Sequence, residues 1–360
     1  MKVISIVGAR PQFIKVAALR RAILKKNLQH FILHTGQHHD YNMSEIFFKE
    51  LDIPKPDFSL SGNEPFMASS VSRMTEGIYK ILGVENPDIV VVYGDTNSTL
   101  AGALAAKKSN LKLAHVEAGL RSYDNSMPEE TNRIQTDKIS DLLFCPTIQA
   151  VNNLAKEGFN TSGHKIILCG DIMLDAMNYY AQKLNDNGSR NKIIPLNNFI
   201  LCTLHRESLA QSSEKLVEVI KALNEINRQI SILMPAHPRL KKMINESGIH
   251  IDFTMIDPVG YLDMIVLLKN CTAVITDSGG LQKEAFFCKK PCVTVRNETE
   301  WTELADAGVN FIAGDSSANE ILIAFHKAIN TKNNFEDKFY GNGRSAEIIV
   351  EELIKHGQTS

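Results

Sequence analysis

Apolar residues recur along this chain in short continuous runs, and stretches with helical periodicity separate them. In the first half the runs are rich in Val, Ile and Leu, and they predict strands at residues 2–7, 30–35, 88–93, 111–116, 141–145 and 165–169. Residues 15–28 and 98–108 have the spacing of amphipathic helices. Because the strand-like runs do not alternate with polar residues, they indicate a parallel sheet with helices on both faces.

A second series with the same rhythm begins near the midpoint. It predicts strands at residues 199–203, 229–234, 250–256, 272–276, 291–295 and 310–312, and the polar residues 185–191 before it have loop or linker composition. The α/β pattern therefore predicts two Rossmann-like, doubly wound domains that face a cleft. We expect an N-terminal domain at 1–170 and a C-terminal domain at 171–345. The pattern leaves open which domain holds the final helix, at 346–360.

Composition and charge narrow the class of protein. A chain of 360 residues exceeds one ordinary hydrophobic core, and 44% apolar residues with a net charge of −2 are typical of a globular protein. No long basic run indicates a nucleic-acid partner, and no apolar stretch approaches membrane-spanning length. The N-terminus enters a strand directly, without the pattern of a signal peptide. We therefore expect a cytoplasmic protein without nucleic-acid or membrane partners.

The six cysteines form no Cys-x-x-Cys pair, and several lie in or beside the strand-like runs. Buried free thiols are the simplest interpretation, and they fit a reducing compartment. The spacing indicates no metal site.

Carboxylates follow successive strands of the first domain. Asp95 ends one strand, Glu117 lies in the segment after the next, and the following loop brings in Glu129 or Glu130. Ligands of open parallel sheets bind outside the carboxyl ends of the strands, so we expect these side chains to share a crevice. Crowding and burial push the pKa values of such carboxylates apart, which suits acid/base catalysis. The alternative is that they are solvated loop charges.

The first strand ends in Gly8-Ala-Arg10-Pro, and a helix follows. A glycine turn before a helix N-terminus offers free N–H groups to an anion, and Arg10 and Lys15 add positive charge. An ordinary βα turn with surface cations is the alternative, because the Gly-x-Gly-x-x-Gly dinucleotide motif is absent from this turn.

The second domain carries a stronger phosphate signal. A buried strand ends before Ser278-Gly279-Gly280, and a helix begins there. Two glycines let a ligand approach the backbone closely, so the turn predicts an anion cradle for a diphosphate. Glu284, one to two turns into the helix, is placed to reach ribose hydroxyls. The alternative is a turn that serves packing only.

Two histidines also follow strands of the second domain. His205 ends the first of these strands beside Arg206, in a position equivalent to the Arg10 turn of the first domain. This placement suits phosphate contact or proton transfer. His237 follows the next strand, and it either lines the same cleft or is structural.

These segments and several others match one family. They are residues 8–11, 93–96, 115–121, 128–133, 204–206, 257–258, 261–262, 277–280 and 299–300. Through them the chain resembles, nearly end to end, the non-hydrolysing UDP-N-acetylglucosamine 2-epimerases, which have the two-Rossmann GT-B architecture. The resemblance implies acid/base roles for Asp95, Glu117 and Glu129, and a catalytic-site role near the diphosphate for His205. The UDP ligands that it implies are Arg10, Lys15, Ser278, Gly279, Gly280 and Glu284.

The resemblance also implies a reaction. Anti elimination of UDP gives a 2-acetamido-glycal, and UDP adds back after C2 is protonated from the other face. This chemistry needs carboxylates near C2 and cations on the leaving group, and it needs neither a cofactor nor a metal. Members of the family are commonly homodimers.

Some positions depart from the common family pattern. Gln12 stands where many members have Glu, Met264 and Trp301 stand where some have Phe and Arg, and residues 35–43 differ from the usual allosteric segment. These features resemble a subgroup that epimerises UDP-2,3-diacetamido-2,3-dideoxyglucuronate for surface polysaccharides such as O-antigen. The extra substrate carboxylate needs a cation, and the candidates are Arg121, Arg133 and Arg206.

Other functions remain open at this point. Within the family, the alternatives are epimerisation of UDP-N-acetylglucosamine to UDP-N-acetylmannosamine and a hydrolysing reaction that releases free sugar and UDP. Outside it, a GT-B glycosyltransferase shares the architecture. A binding module without catalysis fits least, since many titratable groups lie at strand ends.

Overall fold

The computed structural model describes residues 1–37, 48–60, 70–124, 126–161, 163–186, 198–204, 213–314, 317–336 and 338–357. The chain divides into two compact units. The first consists of Met1–Asn178 together with Lys338–Ser360, and the second is Tyr179–Asp337. The sequence pattern predicts boundaries after residues 170 and 345, whereas the structure divides the chain after Asn178, within a helix, and again before Lys338.

The first unit is built on a parallel sheet. Its described strands are β1 Lys2–Val7, β2 Gln29–His34, β3 Phe58–Ser59, β4 Ile89–Tyr93, β5 Lys112–Val116, β6 Leu142–Cys145 and β7 Lys165–Leu168, in the order β3-β2-β1-β4-β5-β6-β7. The helices, α1 to α6, are Arg10–Lys25, Val71–Glu85, Asn97–Lys108, Pro128–Ile139, Ile148–Lys156 and Ile172–Asp186. The sheet order reverses direction between β1 and β4, which makes the carboxyl ends of these strands the switch point of a doubly wound sheet.

The core of the first unit lies between the sheet and its helices. Ile6 of β1 and Val92 of β4 are fully buried, and the alanine-rich α3 packs closely over them. A Cβ on Gly102 of α3 would lie 2.9 Å from side-chain atoms of both residues. The small residues of α3 thus let the helix approach the sheet, and this contact fixes the turn before it, which carries Asp95.

The second unit repeats the architecture. Its described strands are β8 Phe199–Thr203, β9 Ser231–Pro235, β10 Thr254–Ile256, β11 Ala273–Thr276, β12 Cys292–Thr294 and β13 Asn310–Ile312, in the order β10-β9-β8-β11-β12-β13. Helices α7 to α12 are Ser213–Asn227, Pro238–Ser247, Tyr261–Asn270, Gly279–Phe287, Thr302–Asp306 and Ala318–Asn330. Every described pairing in both sheets is parallel. The predicted α/β class, with two doubly wound parallel sheets, is confirmed.

The final helix, α13 Ser345–Gly357, belongs to the first unit. Asp175 of α6 accepts hydrogen bonds from the N–H groups of Ser345 (3.1 Å) and Ala346 (2.7 Å) at its start. Lys165 of β7 pairs with Glu352 at 2.6 Å. These contacts decide the membership that the sequence pattern left open.

Most element ends lie within a few residues of the prediction, and the helix predicted at 15–28 is found at Arg10–Lys25. Two strands also differ from the prediction. The pattern gave no sign of β3, because two residues are too few to show a period. Strand β10 is shorter than the predicted 250–256, since the side chains of Asn224 and Asn227 donate to the carbonyls of His250 and Asp252 (both 2.8 Å). Those carbonyls therefore bond to side chains. Of the predicted linker, residues 185–186 end α6, and 187–191 lie outside the described residues.

No helix in the described parts of the chain has the length and apolar character that crossing a membrane requires.

Candidate active site

Gln12 joins the turn after β1 to the end of β4, at the switch point of the first unit. Its Oε1 accepts the N–H of Gly8 (2.7 Å), and its Nε2 donates to the carbonyl of Tyr93 (2.7 Å). A Cβ on Gly8 would lie 2.1 Å from the hydroxyl oxygens of Thr35 and Ser98, so the turn has no room for a side chain. An ionised glutamate offers no donor to Tyr93. The amide at position 12 is therefore the residue type that this bridge uses.

Asp95 lies in the turn between β4 and α3. Its Oδ2 pairs with Nη2 of Arg133 at 2.5 Å, and its carbonyl accepts a hydrogen bond from Asn132 at 2.9 Å. Both partners lie on α4. The neighbouring Gly94 has a φ of 67°, in the left-handed region that favours glycine. Asp95 is thus oriented from both its backbone and its carboxylate, and it stays partly exposed.

Glu117 follows β5 in a left-handed conformation, with a φ of 75°. A residue with a Cβ costs about 1–3 kcal/mol in such a region, and strain of this kind is concentrated at functional sites. Its carboxylate pairs with the ammonium of Lys15, and both side chains are largely buried. A Cβ on Gly94 would lie 3.4 Å from both charged groups. The structure therefore brings Glu117, Lys15 and the Asp95 turn together.

Lys15 was predicted to be a phosphate ligand. In the structure its ammonium is paired with Glu117, so the cation next to the carboxylates already has an anionic partner. Phosphate binding by Lys15 stays a prediction. Arg10 begins α1 at the same turn, and burial lowers the pKa of its guanidinium, an effect that the charge of Glu50 opposes.

The adjacent residues Glu129 and Glu130 differ completely in environment. Glu130 is 1% exposed and accepts hydrogen bonds from the N–H groups of Ser122 (2.9 Å) and Tyr123 (3.1 Å) and from Arg133 (3.1 Å). Glu129 is exposed in the first turn of α4, and it has no hydrogen bond or ion pair to the described residues. Of the two, Glu129 is therefore the one that is free to act on a ligand.

Arg121 and Arg133 were candidates for binding a substrate carboxylate. Arg121 is buried, donates to Asp137 at 2.7 Å and holds both oxygens of Glu157, at 2.7 and 2.8 Å. Burial by itself lowers the pKa of Arg121, but the two carboxylates more than offset it and raise the pKa. Arg133 pairs with Asp95 and Glu130. Both guanidinium groups are therefore paired with carboxylates of the chain itself. Substrate binding by either arginine stays a prediction.

The sequence pattern assigns no role to two buried polar residues behind this site. His115 and Asp137 are both fully buried and lie 2.7 Å apart between Nδ1 and Oδ1. The signal was present, since Glu130, Arg133 and Asp137 fall at helical spacing on one face of α4, and buried charges at such spacing mark an internal network.

In the second unit the predicted anion cradle lies at the carboxyl end of β11, beside the switch point between β8 and β11. Ser278 occupies the N-cap position of α10 without a capping hydrogen bond from its side chain, and its N–H donates to the hydroxyl of Thr276 at 3.0 Å. A Cβ on Gly279 would lie 2.4 Å from Oε1 of Glu300, whereas the nearest atom to a Cβ on Gly280 is 4.0 Å away. The start of the helix thus has an open side at Gly280, where a ligand can approach the backbone.

The other residues of the second unit that the sequence pattern singles out differ in burial and in contacts. Glu284 is buried on α10. His237 is exposed and caps α8, where its Nδ1 accepts the N–H of Arg239 at 3.2 Å, so its observed role is local. Trp301 is buried, with the ammonium of Lys283 4.1 Å from its ring centroid. His205 and Arg206 lie outside the described residues.

Comparisons with known proteins identify the family. The family model for UDP-N-acetylglucosamine 2-epimerase matches residues 21–354. A UDP-2,3-diacetamido-2,3-dideoxy-D-glucuronate 2-epimerase of Pseudomonas aeruginosa is 45% identical over 99% of this chain and 100% of its own length. This chain belongs to the UDP-N-acetylglucosamine 2-epimerase family.

Solved structures give the same result. The UDP-GlcNAc 2-epimerase of Methanocaldococcus jannaschii, in complex with UDP-GlcNAc and UDP, has a TM-score of 0.88 and 38% identity, with 99% of this chain and 100% of that chain covered. The enzyme of Neisseria meningitidis bound to UDP-GlcNAc has a TM-score of 0.87 and 29% identity, with the same coverage. The suspected resemblance is confirmed, and the relatives are epimerases, which are isomerases.

Proposed function

We propose that this protein is a non-hydrolysing 2-epimerase that converts UDP-2,3-diacetamido-2,3-dideoxyglucuronate to its manno epimer. The observation that carries the substrate is the end-to-end relation, at 45% identity, to the Pseudomonas aeruginosa enzyme of that name. The first unit supports the reaction class, because Glu117, Lys15 and the Asp95 turn lie together at the carboxyl end of its sheet. Surface polysaccharide biosynthesis is the pathway that we propose for the product.

The proposed reaction removes the C2 proton and the UDP group. One carboxylate takes the proton, the C2–H electron pair forms the C1–C2 double bond of a glycal, and the C1–O bond breaks to release UDP. Protonation of C2 on the other face and return of UDP to C1 then give the epimer. The base and the acid are thus on opposite faces of the sugar, which calls for at least two carboxylates.

Asp95, Glu117 and Glu129 are the carboxylates that we assign to this chemistry. The carboxylate of Glu117 is held by the ammonium of Lys15. Arg133 orients Asp95, and exposure lets Glu129 reach a ligand. His205 is proposed to act at the departing diphosphate.

We propose that the UDP group binds to the Ser278-Gly279-Gly280 turn and to Glu284 of the second unit. Arg10 is proposed as a cationic ligand of the same group. The open side of Gly280 and the free N–H groups at the start of α10 support this assignment. For the substrate carboxylate we propose Arg206 first, since Arg121 and Arg133 already pair with carboxylates of the chain; substrate binding by those two stays a prediction. Replacing Arg206 by Gln should raise KM for the glucuronate substrate and leave KM for UDP-N-acetylglucosamine unchanged.

We also propose a homodimer in the cytoplasm. The dimer comes from the family resemblance, and light scattering after gel filtration tests it. All six cysteines are free, and five of them are buried, which suits a reducing compartment.

One experiment separates the proposed function from its alternatives. The protein is incubated with each candidate UDP-sugar in deuterated water, and the products are identified by NMR. We expect the manno epimer of the diacetamido-glucuronate with deuterium at C2. A preference for UDP-N-acetylglucosamine, which is bound in the Methanocaldococcus jannaschii structure, would replace the proposed substrate with that sugar nucleotide. Free sugar would indicate hydrolysis, and complete retention of hydrogen at C2 would exclude the elimination.

A further inference from the structure

One buried carboxylate, Asp137 of α4, is linked to both turns of the proposed acid/base site, to one directly and to the other through His115. Its Oδ2 accepts the N–H of Gly119, two residues after Glu117, at 3.2 Å. Its Oδ1 contacts Nδ1 of His115 at 2.7 Å, and Nε2 of the same ring lies 2.7 Å from the carbonyl of Gly94. Asp137 therefore reaches the Glu117 turn directly and the turn before Asp95 through the imidazole.

Both nitrogens of the His115 ring face acceptors. The carbonyl of Gly94 can only accept, so Nε2 carries a proton. Burial alone would raise the pKa of Asp137, but hydrogen bonds and charges of His115 and Arg121 outweigh it and hold that pKa below its usual value. A hydrogen bond to an ionised carboxylate is charge-assisted, the stronger kind.

We propose that His115 and Asp137 are positioning residues that hold the turns bearing Asp95 and Glu117 at a fixed separation. The inference rests on the proposed function, because it concerns the geometry of those two carboxylates. Neither residue reaches a ligand, since both side chains are fully buried. Their helix also supplies Arg133, which pairs with Asp95, and Glu129 in its first turn. One helix thus aligns the three proposed acid/base groups.

The pair of His115 and Asp137, with its bonds to the two turns, is called the bridge below. The bridge also acts next to a residue in the left-handed conformation, Glu117. Glu117 departs from extended geometry where β5 ends, and its N–H and that of Ala118 share the carbonyl of Phe144 (3.1 and 3.0 Å). The bond from Gly119 to Asp137 fixes the chain just after this strained residue. Without that bond, relaxation of the turn would move the carboxylate of Glu117.

The test compares His115→Asn with a matched control, Glu157→Gln. The control disrupts the same ion-pair network at Arg121, on the side that touches neither turn. We expect His115→Asn to lower kcat about tenfold to a hundredfold, because small displacements of reacting groups have effects of this size. KM and the affinity for UDP should change less than about threefold in the variant. Glu157→Gln should keep wild-type kcat at a comparable loss of thermal stability.

A folded His115→Asn variant with the kcat of the control would overturn the positioning role. Failure of the proposed function looks different, because the wild-type protein itself would then show no epimerisation. If His115→Asn does not fold, the bridge is tested in the wild-type protein by NMR after labelling histidine with ¹⁵N. The ring of His115, identified by proton contacts with Val92 beside it in the sheet, should show hydrogen on Nε2, because the carbonyl of Gly94 requires a donor. An unprotonated Nε2 would disprove the bridge.

Discussion

The two units share a topology, and they differ in what their switch points hold. At the first, carboxylates are paired with cations: Glu117 with Lys15, and Asp95 with Arg133. At the second, the described residues offer a glycine turn and the backbone of a helix start. A doubly wound sheet places ligands at this edge in both cases. The side chains differ, and we propose acid/base chemistry for the first unit and anion binding for the second.

The largest expected effect separates catalysis from binding. Asp95→Asn, Glu117→Gln and Glu129→Gln should each lower kcat by about a hundredfold or more, the usual scale for losing a general acid or base. Affinity for UDP, measured by calorimetry, should change little, because the proposed UDP turn lies in the other unit. Near-normal turnover in all three variants would remove the first unit from the chemistry.

The next effect contrasts two neighbours on α4. Glu130→Gln should lower the free energy of unfolding by about 2 kcal/mol, because it removes a buried charge from two backbone N–H groups and Arg133. Glu129→Gln should leave the stability unchanged, since that side chain is exposed and without partners among the described residues. Urea unfolding of both variants provides the measurement. Equal losses would mean that the buried and exposed roles are misassigned.

A smaller effect is expected at the glycine turn. Gly279→Ala must displace Glu300, whose Oε1 lies 2.4 Å from the new Cβ, whereas Gly280→Ala has nothing nearer than 4.0 Å. We expect each variant to weaken UDP binding by about tenfold, or about 1.4 kcal/mol. Gly280→Ala fills the open side where we propose that the ligand approaches, and Gly279→Ala displaces a neighbour of the turn. Calorimetry measures both affinities, and wild-type affinity in both variants would remove the turn from the binding site.

The smallest effect is a dependence of stability on pH. Against the effect of burial, hydrogen bonds and charges of His115 and Arg121 hold the pKa of Asp137 in the folded state below its ordinary value of 3.8. Its contribution to stability is therefore complete above about pH 4 and is lost as the pH falls through the folded value. Asp137→Asn should flatten the acid limb of a plot of stability against pH, measured by thermal unfolding. An unchanged acid limb would show that other carboxylates dominate it.

The sequence predicted the fold well, because strands buried on both faces are continuous apolar runs that need no tertiary information. It also placed Asp95 and Glu117 correctly at strand ends. It could not separate Glu129 from Glu130, since adjacent identical residues differ only in what α4 packs against. It assigned Lys15 to phosphate, and the structure pairs it with Glu117. Such pairings join residues far apart in sequence, where local patterns carry no signal.

The division of the chain has a consequence for engineering. The second unit is one uninterrupted segment, and the first contains both ends of the chain. Exchanging the second unit between related enzymes is therefore an insertion with two junctions, one of them inside α6, Ile172–Asp186. A chimera that preserves the helical register at that junction and keeps α13, Ser345–Gly357, with its own first unit should fold. A simple fusion of an N-terminal half to a C-terminal half would give each hybrid the terminal helix of the wrong parent.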